Sequence, residues 1–272
     1  MLKKILKLTE NPSKNFFLIA GPCLIEDELS TFKIGETLKK ICDNLDIPLI
    51  LKGSFFKANR TKISSFSGIG DLKALKILNK VGKNLNIPTL TDVHETSDMK
   101  FVPEYVDIIQ IPAFLCRQTK LIQSAAETNK IINIKKGQFM SSESIKFAIE
   151  KVLKSGNKNV MVTERGTLFG YNDLIVDFRG INVMKKLAPT IIDITHSIQK
   201  PNQLDGITSG DPESIETIAK AGIVAGVDGI FCETHYDLKK AKSDRSSMLN
   251  LNKIEKMLIN LTKIRQCINK LN

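Results

Sequence analysis

Cationic side chains crowd one short segment of the chain, directly after an apolar run. The run Leu49 to Leu51 is followed within ten residues by three cations, an amide and two hydroxyls. These are Lys52, Lys57, Arg60, Asn59, Ser54 and Thr61. Lysine supplies a point charge and arginine a planar fork, and both suit phosphate or carboxylate groups. The segment is typical of a buried strand that opens into an anion site, or of a solvated loop in a lysine-rich chain.

Further cations follow later apolar runs in the same way. Arg117, Lys135, Lys136 and Arg165 each come at or just after the end of such a run. Like charges this close repel one another without a counter-charge, so an anionic ligand is their natural partner. Their number exceeds the need of one phosphate and suggests two anionic substrates or one bisphosphate. Because neighbouring strand residues face opposite sides, only one of Lys135 and Lys136 should point into a shared site.

A second group of residues carries the side chains that bind divalent metals. Cys23, His196 and Glu233 each follow or end an apolar run, and Asp244 comes a few residues later in the chain. A thiol, an imidazole and two carboxylates form a ligand set for Zn²⁺, Fe²⁺ or Mn²⁺ without choosing among these ions. Taken singly, a cysteine is usually core packing and an aspartate is usually solvated. The metal hypothesis therefore depends on a fold that brings the four residues together.

Eight short apolar or β-branched runs alternate with segments of helical periodicity. Strands are predicted over residues 16–20, 48–52, 88–93, 106–111, 131–134, 160–163, 190–194 and 229–232. Apolar strands separated by helices indicate parallel pairing with both faces covered. Eight such units predict a single (β/α)8 TIM barrel over residues 1–272, with 1–15 as an N-terminal arm or hairpin. A doubly wound open sheet is the alternative, but Gly21-Pro22-Cys23 lacks the GxGxxG spacing of its phosphate-binding turn.

The barrel prediction gathers the polar residues at one end. In a TIM barrel the carboxyl ends of the strands form the active face. All three histidines follow such ends, and Gln110 lies in the last part of strand four. Because strand eight pairs with strand one, the ends of strands seven, eight and one are neighbours. Cys23, His196 and Glu233 should therefore meet there, and Asp244 can fold back onto them.

The composition excludes several other classes of protein. The chain is 42% hydrophobic and 25% charged, and its net charge of +11 is spread along the sequence without a dense basic block. We therefore expect no nucleic-acid partner. The five cysteines include no CxxC pair, which favours a reducing compartment over a disulfide framework. No apolar run approaches the ~18 residues of a membrane span, and no signal core precedes the first strand, so we expect a cytoplasmic protein without a membrane partner.

Two motifs are specific enough to compare with known families. They are Gln110-Ile111-Pro112-Ala113-Phe114-Leu115-Cys116-Arg117-Gln118-Thr119 and Lys57-Ala58-Asn59-Arg60. Other segments in the same order lie at 19–23, 91–95, 135–139, 163–166 with 169–171, 195–199 and 232–235. Together they resemble the 3-deoxy-D-manno-octulosonate 8-phosphate synthases from about Phe17 to Leu258. The related heptulosonate phosphate synthases carry Lys-Pro-Arg-Thr where this chain has Lys-Ala-Asn-Arg-Thr.

This resemblance implies a reaction and a set of binding residues. The reaction joins phosphoenolpyruvate to D-arabinose 5-phosphate and water in the biosynthesis of lipopolysaccharide. The implied phosphoenolpyruvate ligands are Lys57, Gln110, Lys135 and Arg165, with Lys52 nearby. The implied arabinose 5-phosphate ligands are Asn59, Arg60 and Thr61, with Arg117 reaching the phosphate from a neighbouring subunit of a homotetramer.

The resemblance also bears on the metal and on proton transfer. Metal-independent members have asparagine at the position of Cys23, so this chain resembles the metal-dependent branch, with Cys23, His196, Glu233 and Asp244 as implied ligands. His94 and Asp92 are candidates for proton handling. The chain departs from the family at Arg245-Ser246, where Gly-Pro is usual after the aspartate. It departs again at Ser209-Gly210-Asp211, inside the predicted lid from Lys200 to Pro212.

Two other functions remain open from the sequence. One is a heptulosonate phosphate synthase that uses erythrose 4-phosphate, against which the Lys57-Ala58-Asn59-Arg60 motif argues. The other is a basic binding barrel without catalysis, against which the complete set of Cys23, Arg165, His196 and Glu233 argues.

Overall fold

Eight parallel strands close into a barrel at the centre of the structure. The computed structural model describes residues 14–59, 66–168, 173–200 and 209–271. The strands are β1 (Phe17–Gly21), β2 (Leu49–Lys52), β3 (Thr89–Asp92), β4 (Ile108–Ile111), β5 (Ile131–Lys135), β6 (Val160–Glu164), β7 (Thr190–Asp193) and β8 (Gly229–His235). Each strand pairs in parallel with the next, and β8 pairs with β1. The predicted (β/α)8 barrel is confirmed.

Helices cover the outside of the barrel. They are α1 (Glu28–Asn44), α2 (Asp71–Leu85), α3 (Thr119–Glu127), α4 (Lys146–Lys154), α5 (Arg179–Lys185), α6 (Ile215–Val224) and α7 (Leu251–Leu271). The connection between β3 and β4 differs from the helical segments expected between strands, because it consists of two 3₁₀ turns, Thr96–Lys100 and Val102–Glu104. Pro103 lies in the second turn, where it cannot donate to a helical hydrogen bond.

The helix boundaries follow from local hydrogen bonds. The Asp27 carboxylate accepts from the backbone N–H of Ser30 at 2.7 Å, so α1 begins at Glu28. In α2 the buried positions Leu75, Leu78 and Val81 recur at three-residue spacing and pack against the barrel. The helices are therefore held by one apolar face each, as in an ordinary α/β layer structure.

The interior of the barrel has an apolar floor. Nine buried side chains form one cluster: Phe17, Ile19, Ile50, Leu90, Ile108, Ile131, Met161, Ile191 and Phe231. They come from all eight strands and fill the amino-terminal half of the barrel. At Gly21 an added Cβ would lie 1.9 Å from the backbone oxygen of Lys52, so glycine permits β1 to approach β2 closely. The polar chemistry is thereby confined to the opposite half.

Several expectations fall partly outside the described residues. The arm predicted over 1–15 is described only from residue 14, and Arg60 and Thr61 are not described. In the predicted lid, residues 201–208 lie outside the description, while the ends Gln199–Lys200 and Ser209–Gly210 pair as antiparallel strands. The five cysteines, all within the described ranges, are free thiols. Among the described residues, no helix combines the length and apolar character needed to cross a membrane.

Candidate active site

The inward positions above the apolar floor are polar on every strand from β2 to β8. Since strand residues alternate between the two faces, residues two or four positions beyond the floor face the same interior. These residues are Lys52, Asp92, Gln110, Asn133, Lys135, Thr163, Asp193 and Glu233, and all eight are buried. Burial of so many polar groups is costly unless each has a partner. Their hydrogen bonds therefore define the site.

Three residues that were predicted as metal ligands lie together at the junction of β8 and β1. Ligand atoms of Cys23, Glu233 and Asp244 all lie within 4.8 Å of one another. The Cys23 thiol donates to Asp244 Oδ2 at 2.8 Å. The fourth predicted ligand, His196, places Nε2 3.6 Å from Glu233 Oε2. A thiol, two carboxylates and an adjacent imidazole fit a divalent transition metal.

The charge state of this cluster also suits a cation. Burial raises the pKa of the Cys23 thiol well above its ordinary value, and the carboxylates of Asp244 and Glu233 add to that shift. A thiol in such surroundings loses its proton most readily when its sulfur binds a metal ion. Lys57 Nζ lies 3.6 Å from Asp244 Oδ2, so one cation already faces the cluster.

Asp244 reaches the cluster although Arg245 and Ser246 follow it. Its backbone has φ +46°, a left-handed conformation that aspartate tolerates better than most residues. Its carbonyl oxygen accepts from the N–H groups of Ser247 and Met248 at 3.1 and 3.2 Å, which closes a turn. This turn sets the Asp244 carboxylate beside Cys23 without the Gly-Pro sequence that the resemblance led us to expect.

Lys52 links the acidic cluster to the cationic side of the site. Its ammonium donates to Glu233 Oε1 at 2.5 Å and to the backbone oxygen of Cys23 at 2.8 Å. Burial alone would raise the pKa of Glu233, but the combined charges of Lys52, His196 and Lys57, with Lys135, outweigh it and hold that pKa below its ordinary value. Both groups are therefore charged, and a buried pair of this kind is stable only with such further hydrogen bonds.

Asp193 contacts two of the predicted site residues, although the sequence analysis did not name it. Its Oδ2 accepts from Lys135 Nζ at 2.5 Å and lies 2.8 Å from His196 Nδ1. Its Oδ1 accepts from the backbone N–H groups of Thr195 and His196 at 3.0 and 2.8 Å. With Nδ1 held by a carboxylate, the imidazole turns Nε2 toward Glu233, which is the usual arrangement behind a metal-binding histidine.

The signal for Asp193 was present in the chain. It is the one charged residue in the run Thr190-Ile191-Ile192-Asp193-Ile194. Burial would raise its pKa, but the charges of His196 and Lys135 hold that pKa well below the ordinary value. A lone carboxylate at the end of a buried strand predicts a cationic partner on the same face, and Lys135 is that partner.

A row of hydrogen bonds crosses the other side of the barrel mouth. Thr163 donates to Asn133 Oδ1 at 2.8 Å, Asn133 to Gln110 Oε1 at 2.8 Å, and Gln110 to Asp92 Oδ1 at 2.7 Å. Ser54 donates to the other oxygen of Asp92 at 2.6 Å. We call these five side chains the polar row. It fixes the amide of Gln110 between Asp92 and Asn133.

Asp92 is an ionised acceptor in this row. Burial would raise its pKa, but Lys52, Lys57 and His94 together with the Ser54 hydrogen bond lower it to about 2. At neutral pH its carboxylate therefore orients donors and carries a negative charge, and it has no proton to give.

His94 lies beside the row and differs from the other site histidine. Its ring packs edge-on against Phe55 and Phe56, with centroids 6.2 and 5.9 Å apart. Burial lowers its pKa, although the charge of Asp92 opposes that shift. Its Nδ1 is buried and has no hydrogen-bond partner among the described residues. A neutral imidazole with a free nitrogen can accept a proton.

The remaining predicted residues divide into buried and exposed members. The guanidinium of Arg165 is buried, donates to Gln199 Oε1 at 3.1 Å and leaves Nη1 without a partner in the described part of the chain. Lys57 is mostly buried beside Asp244. The side chains of Asn59 and Arg117, by contrast, are exposed on the described surface. The structure thus places Lys52, Lys57 and Lys135 against the predicted metal ligands and leaves Asn59 and Arg117 at the surface.

Comparisons with known proteins agree on one family. The model of the DAHP synthetase I family matches residues 8–270. A 2-dehydro-3-deoxyphosphooctonate aldolase of Koribacter versatilis is 47% identical over 255 residues, which cover 93% of this chain and 92% of the relative. A protein of the same name from Fusobacterium nucleatum is 47% identical over 90% of this chain and 88% of its own length. Another, from Rickettsia bellii, is 44% identical over 96% and 97%.

Proposed function

This chain belongs to the DAHP synthetase I family, and from that premise we propose that it condenses phosphoenolpyruvate with D-arabinose 5-phosphate and water. The products would be 3-deoxy-D-manno-octulosonate 8-phosphate and inorganic phosphate, in a transferase reaction of lipopolysaccharide biosynthesis. The relatives that match most of the chain carry the name of this aldolase. The earlier resemblance of motifs and the comparisons therefore favour the same reaction.

One observation carries the proposal beyond the family name. Buried cations and a buried thiol–carboxylate cluster share one face of the barrel, joined by the Lys52–Glu233 pair at 2.5 Å. Lys135 Nζ also lies 3.5 Å from His196 Nδ1, on the edge of that cluster. A site that aligns two anions and polarises an aldehyde needs both kinds of group side by side.

The two substrates would occupy different parts of the mouth. We assign phosphoenolpyruvate to the buried cations Lys135 and Arg165, to the mostly buried Lys57 and to the Gln110 amide, with Lys52 nearby. Asn59, Arg60 and Thr61 would bind arabinose 5-phosphate. Arg117 would reach its phosphate from a neighbouring subunit of a homotetramer, which is consistent with the exposure of Arg117 in this single chain.

The reaction forms a carbon–carbon bond at C3 of phosphoenolpyruvate and a carbon–oxygen bond to water at C2. It then breaks the bond between C2 and the phosphate oxygen. C3 attacks the sugar aldehyde, and the oxygen of water adds at C2. The resulting hemiketal phosphate then releases inorganic phosphate by breaking the bond between C2 and the phosphate oxygen. Lys135 and Arg165 would bind the negative charge of the enolpyruvate throughout, so that the two substrates approach without mutual repulsion.

His94 would carry out proton transfer. His94 would accept a proton at Nδ1, and the neighbouring charge of Asp92 would stabilise the imidazolium that results. Asp92 itself would stay ionised and hold Gln110 in place. Lys57 would bind an anion rather than exchange a proton, because the charges of Cys23 and the carboxylates raise its pKa well above the ordinary value despite its burial.

A divalent metal would be held by Cys23, His196, Glu233 and Asp244. Bound there, it would act as a Lewis acid that orients the aldehyde or the water. Asp193 would hold the His196 ring in the orientation that such a ligand needs. Zn²⁺, Fe²⁺ and Mn²⁺ all suit the donor set. The free thiols also suit a reducing compartment, and we place the enzyme in the cytoplasm.

The test is phosphate release from phosphoenolpyruvate with arabinose 5-phosphate or erythrose 4-phosphate, each with and without a chelator. We expect release with arabinose 5-phosphate, loss with the chelator and recovery after a divalent metal is restored. Release with erythrose 4-phosphate alone would make the chain a heptulosonate phosphate synthase. Release with neither sugar would contradict both assignments and favour a binding barrel. As a matched pair, Lys57→Met should abolish release, whereas Lys39→Met, at an exposed ion pair, should not.

A further inference from the structure

Lys136 is a buried lysine that faces away from the site. It follows Lys135 at the end of β5, and the alternation of strand residues turns it outward, between the barrel and its helices. Its side chain is nevertheless fully buried, with a relative exposure of 0%. An ammonium group in that position must be neutralised and hydrogen-bonded, or the fold would lose several kcal/mol.

The partners of Lys136 come from the two loops that follow β5 and β6 and from the last residue of β6. Its ammonium donates to Thr167 Oγ1 at 2.9 Å and to the backbone oxygens of Met140 and Gly137 at 3.2 and 3.4 Å. It also lies 3.4 Å from Glu164 Oε1. One side chain therefore ties the β5 loop, the β6 loop and the end of β6 together.

Glu164 carries this connection to Arg165. It is 2% exposed and turns outward as Lys136 does. Its Oε1 accepts from the backbone N–H of Arg165 at 2.9 Å and from that of Gly166 at 2.7 Å. Gly166 has φ +90°, so the chain makes a sharp turn at this point. The carboxylate that pairs with Lys136 thus also holds the backbone from which the Arg165 guanidinium enters the site.

A structural role alone does not account for this pair. Buried ion pairs rarely stabilise a protein more than apolar residues of the same volume would. The pair holds in place the two loops that follow the inward cations Lys135, at the end of β5, and Arg165, directly after β6. A displacement of about 1 Å in such groups can lower the rate on the order of a hundredfold.

We propose that Lys136 and Glu164 are positioning residues for the phosphoenolpyruvate cations Lys135 and Arg165. This inference rests on the proposed function, because it takes those two cations as the ligands of phosphoenolpyruvate. The pair acts from outside the barrel and touches no substrate. Without the Lys136–Glu164 pair the two cations lose their relative position. Binding of phosphoenolpyruvate is then weakened more than binding of the sugar phosphate.

The test compares Lys136→Met with the double variant Lys136→Met/Glu164→Gln. Lys136→Met should raise KM for phosphoenolpyruvate about tenfold or more and change KM for arabinose 5-phosphate less than about threefold. The double variant removes the unpaired buried carboxylate, so its thermal stability should recover toward the wild type. Its KM for phosphoenolpyruvate should stay raised, because the loops are still untied.

Other outcomes would contradict the positioning role. If KM in the double variant recovers together with stability, or if Lys136→Met leaves KM for phosphoenolpyruvate within about twofold, the pair is only structural. If Lys136→Met does not fold, Thr167→Val removes one hydrogen bond at constant shape and should still raise that KM about threefold. Ile149→Val in α4 is the control for loss of stability without loss of these contacts.

The same assays separate failure of this inference from failure of the proposed function. Wild-type protein that releases no phosphate with either sugar contradicts the function. In that case phosphoenolpyruvate binding, measured by isothermal titration calorimetry on wild type and Lys136→Met, still decides the positioning role. Equal affinities in the two proteins would overturn it.

Discussion

The two ends of the barrel use buried or half-buried carboxylates in different ways. At the amino-terminal end, Asp107 accepts from the backbone N–H of Thr89 at 2.9 Å, and Asp228 accepts from that of Thr190 at 2.8 Å. At the carboxyl-terminal end, Asp193 and Glu233 accept from lysine side chains at 2.5 Å. The first pair fixes the starts of β3 and β7, while the second fixes groups that a ligand can contact.

The difference distinguishes structural carboxylates from those of the candidate site without comparison with a homologous protein. A carboxylate whose described hydrogen bonds all go to the first residue of a strand secures the chain at that point. A carboxylate that binds ammonium and imidazole groups holds charges in a fixed place, where a substrate anion can compete for them. We therefore expect substitutions at the amino-terminal end to change stability alone, and substitutions at the carboxyl-terminal end to change activity or metal affinity as well.

The largest effect is expected on strand β5, which carries a lysine near each end. Lys135→Met removes an inward cation and leaves Asp193 with one charged partner fewer, so kcat/KM should fall on the order of a thousandfold. Lys130→Met, just before the first residue of β5, should stay within about twofold. Phosphate release measures both. Equal losses in the two variants would remove the distinction between the ends.

A smaller effect is expected for metal affinity in Asp193→Asn. The amide cannot hold Lys135 and the His196 ring as the carboxylate does, so affinity for Zn²⁺ or Mn²⁺ should fall about 10- to 100-fold. Competition with a chromophoric chelator measures this independently of turnover. Asp107→Asn is the matched control at the other end, and its affinity should equal that of the wild type.

The third effect is on the pH dependence of stability. The pKa of Asp92 is lowered from 3.8 to about 2 in the folded protein, so its contribution exists above the unfolded pKa and is lost as pH falls toward 2. The free energy of unfolding of Asp92→Asn should lie about 2 kcal/mol below that of the wild type at pH 7. Urea titrations should show this gap closing between about pH 4 and pH 2. A gap that persists at the lowest pH would mean that Asp92 is not ionised by its neighbours.

The smallest effect on activity is expected at Asp228. Asp228→Ala removes the acceptor of the Thr190 N–H, which should lower the free energy of unfolding by about 1–2 kcal/mol. Because the site lies at the other end of β7, kcat/KM should stay within about twofold. A large loss of activity in a folded Asp228→Ala protein would show that the two ends are coupled.

Much of the fold could be predicted because its signals are local. Each of the eight predicted strand ranges overlaps one strand of the barrel, and segments of helical periodicity between them form helices such as α1 and α2. Strand eight was predicted to end at Cys232, but β8 continues to His235 because it pairs with Leu249–Asn250. That pairing joins residues separated by a loop, so no local pattern predicts the extension of β8.

The candidate site was less accessible from sequence. Residues just after strand ends, such as Cys23 and His196, could be selected by position. Asn133 lies inside β5 and Asp193 ends β7, and their importance comes from partners on other strands. The sequence predicted that only one of Lys135 and Lys136 faces the site, and Lys136 is the one that faces outward. Its partners on the β6 loop appear only when the two loops are folded side by side.

The polar row has a consequence for how a ligand would bind. Each donor from Thr163 through Asn133 and Gln110 points the same way, toward Asp92. Turning over one amide would set donor against donor or acceptor against acceptor, and the ionised Asp92, which can only accept, therefore fixes the direction of the whole row. The conformational entropy of Gln110 is therefore lost when the chain folds, before any substrate arrives. A ligand that contacts this amide meets a group already immobilised, and its association carries a smaller entropic cost.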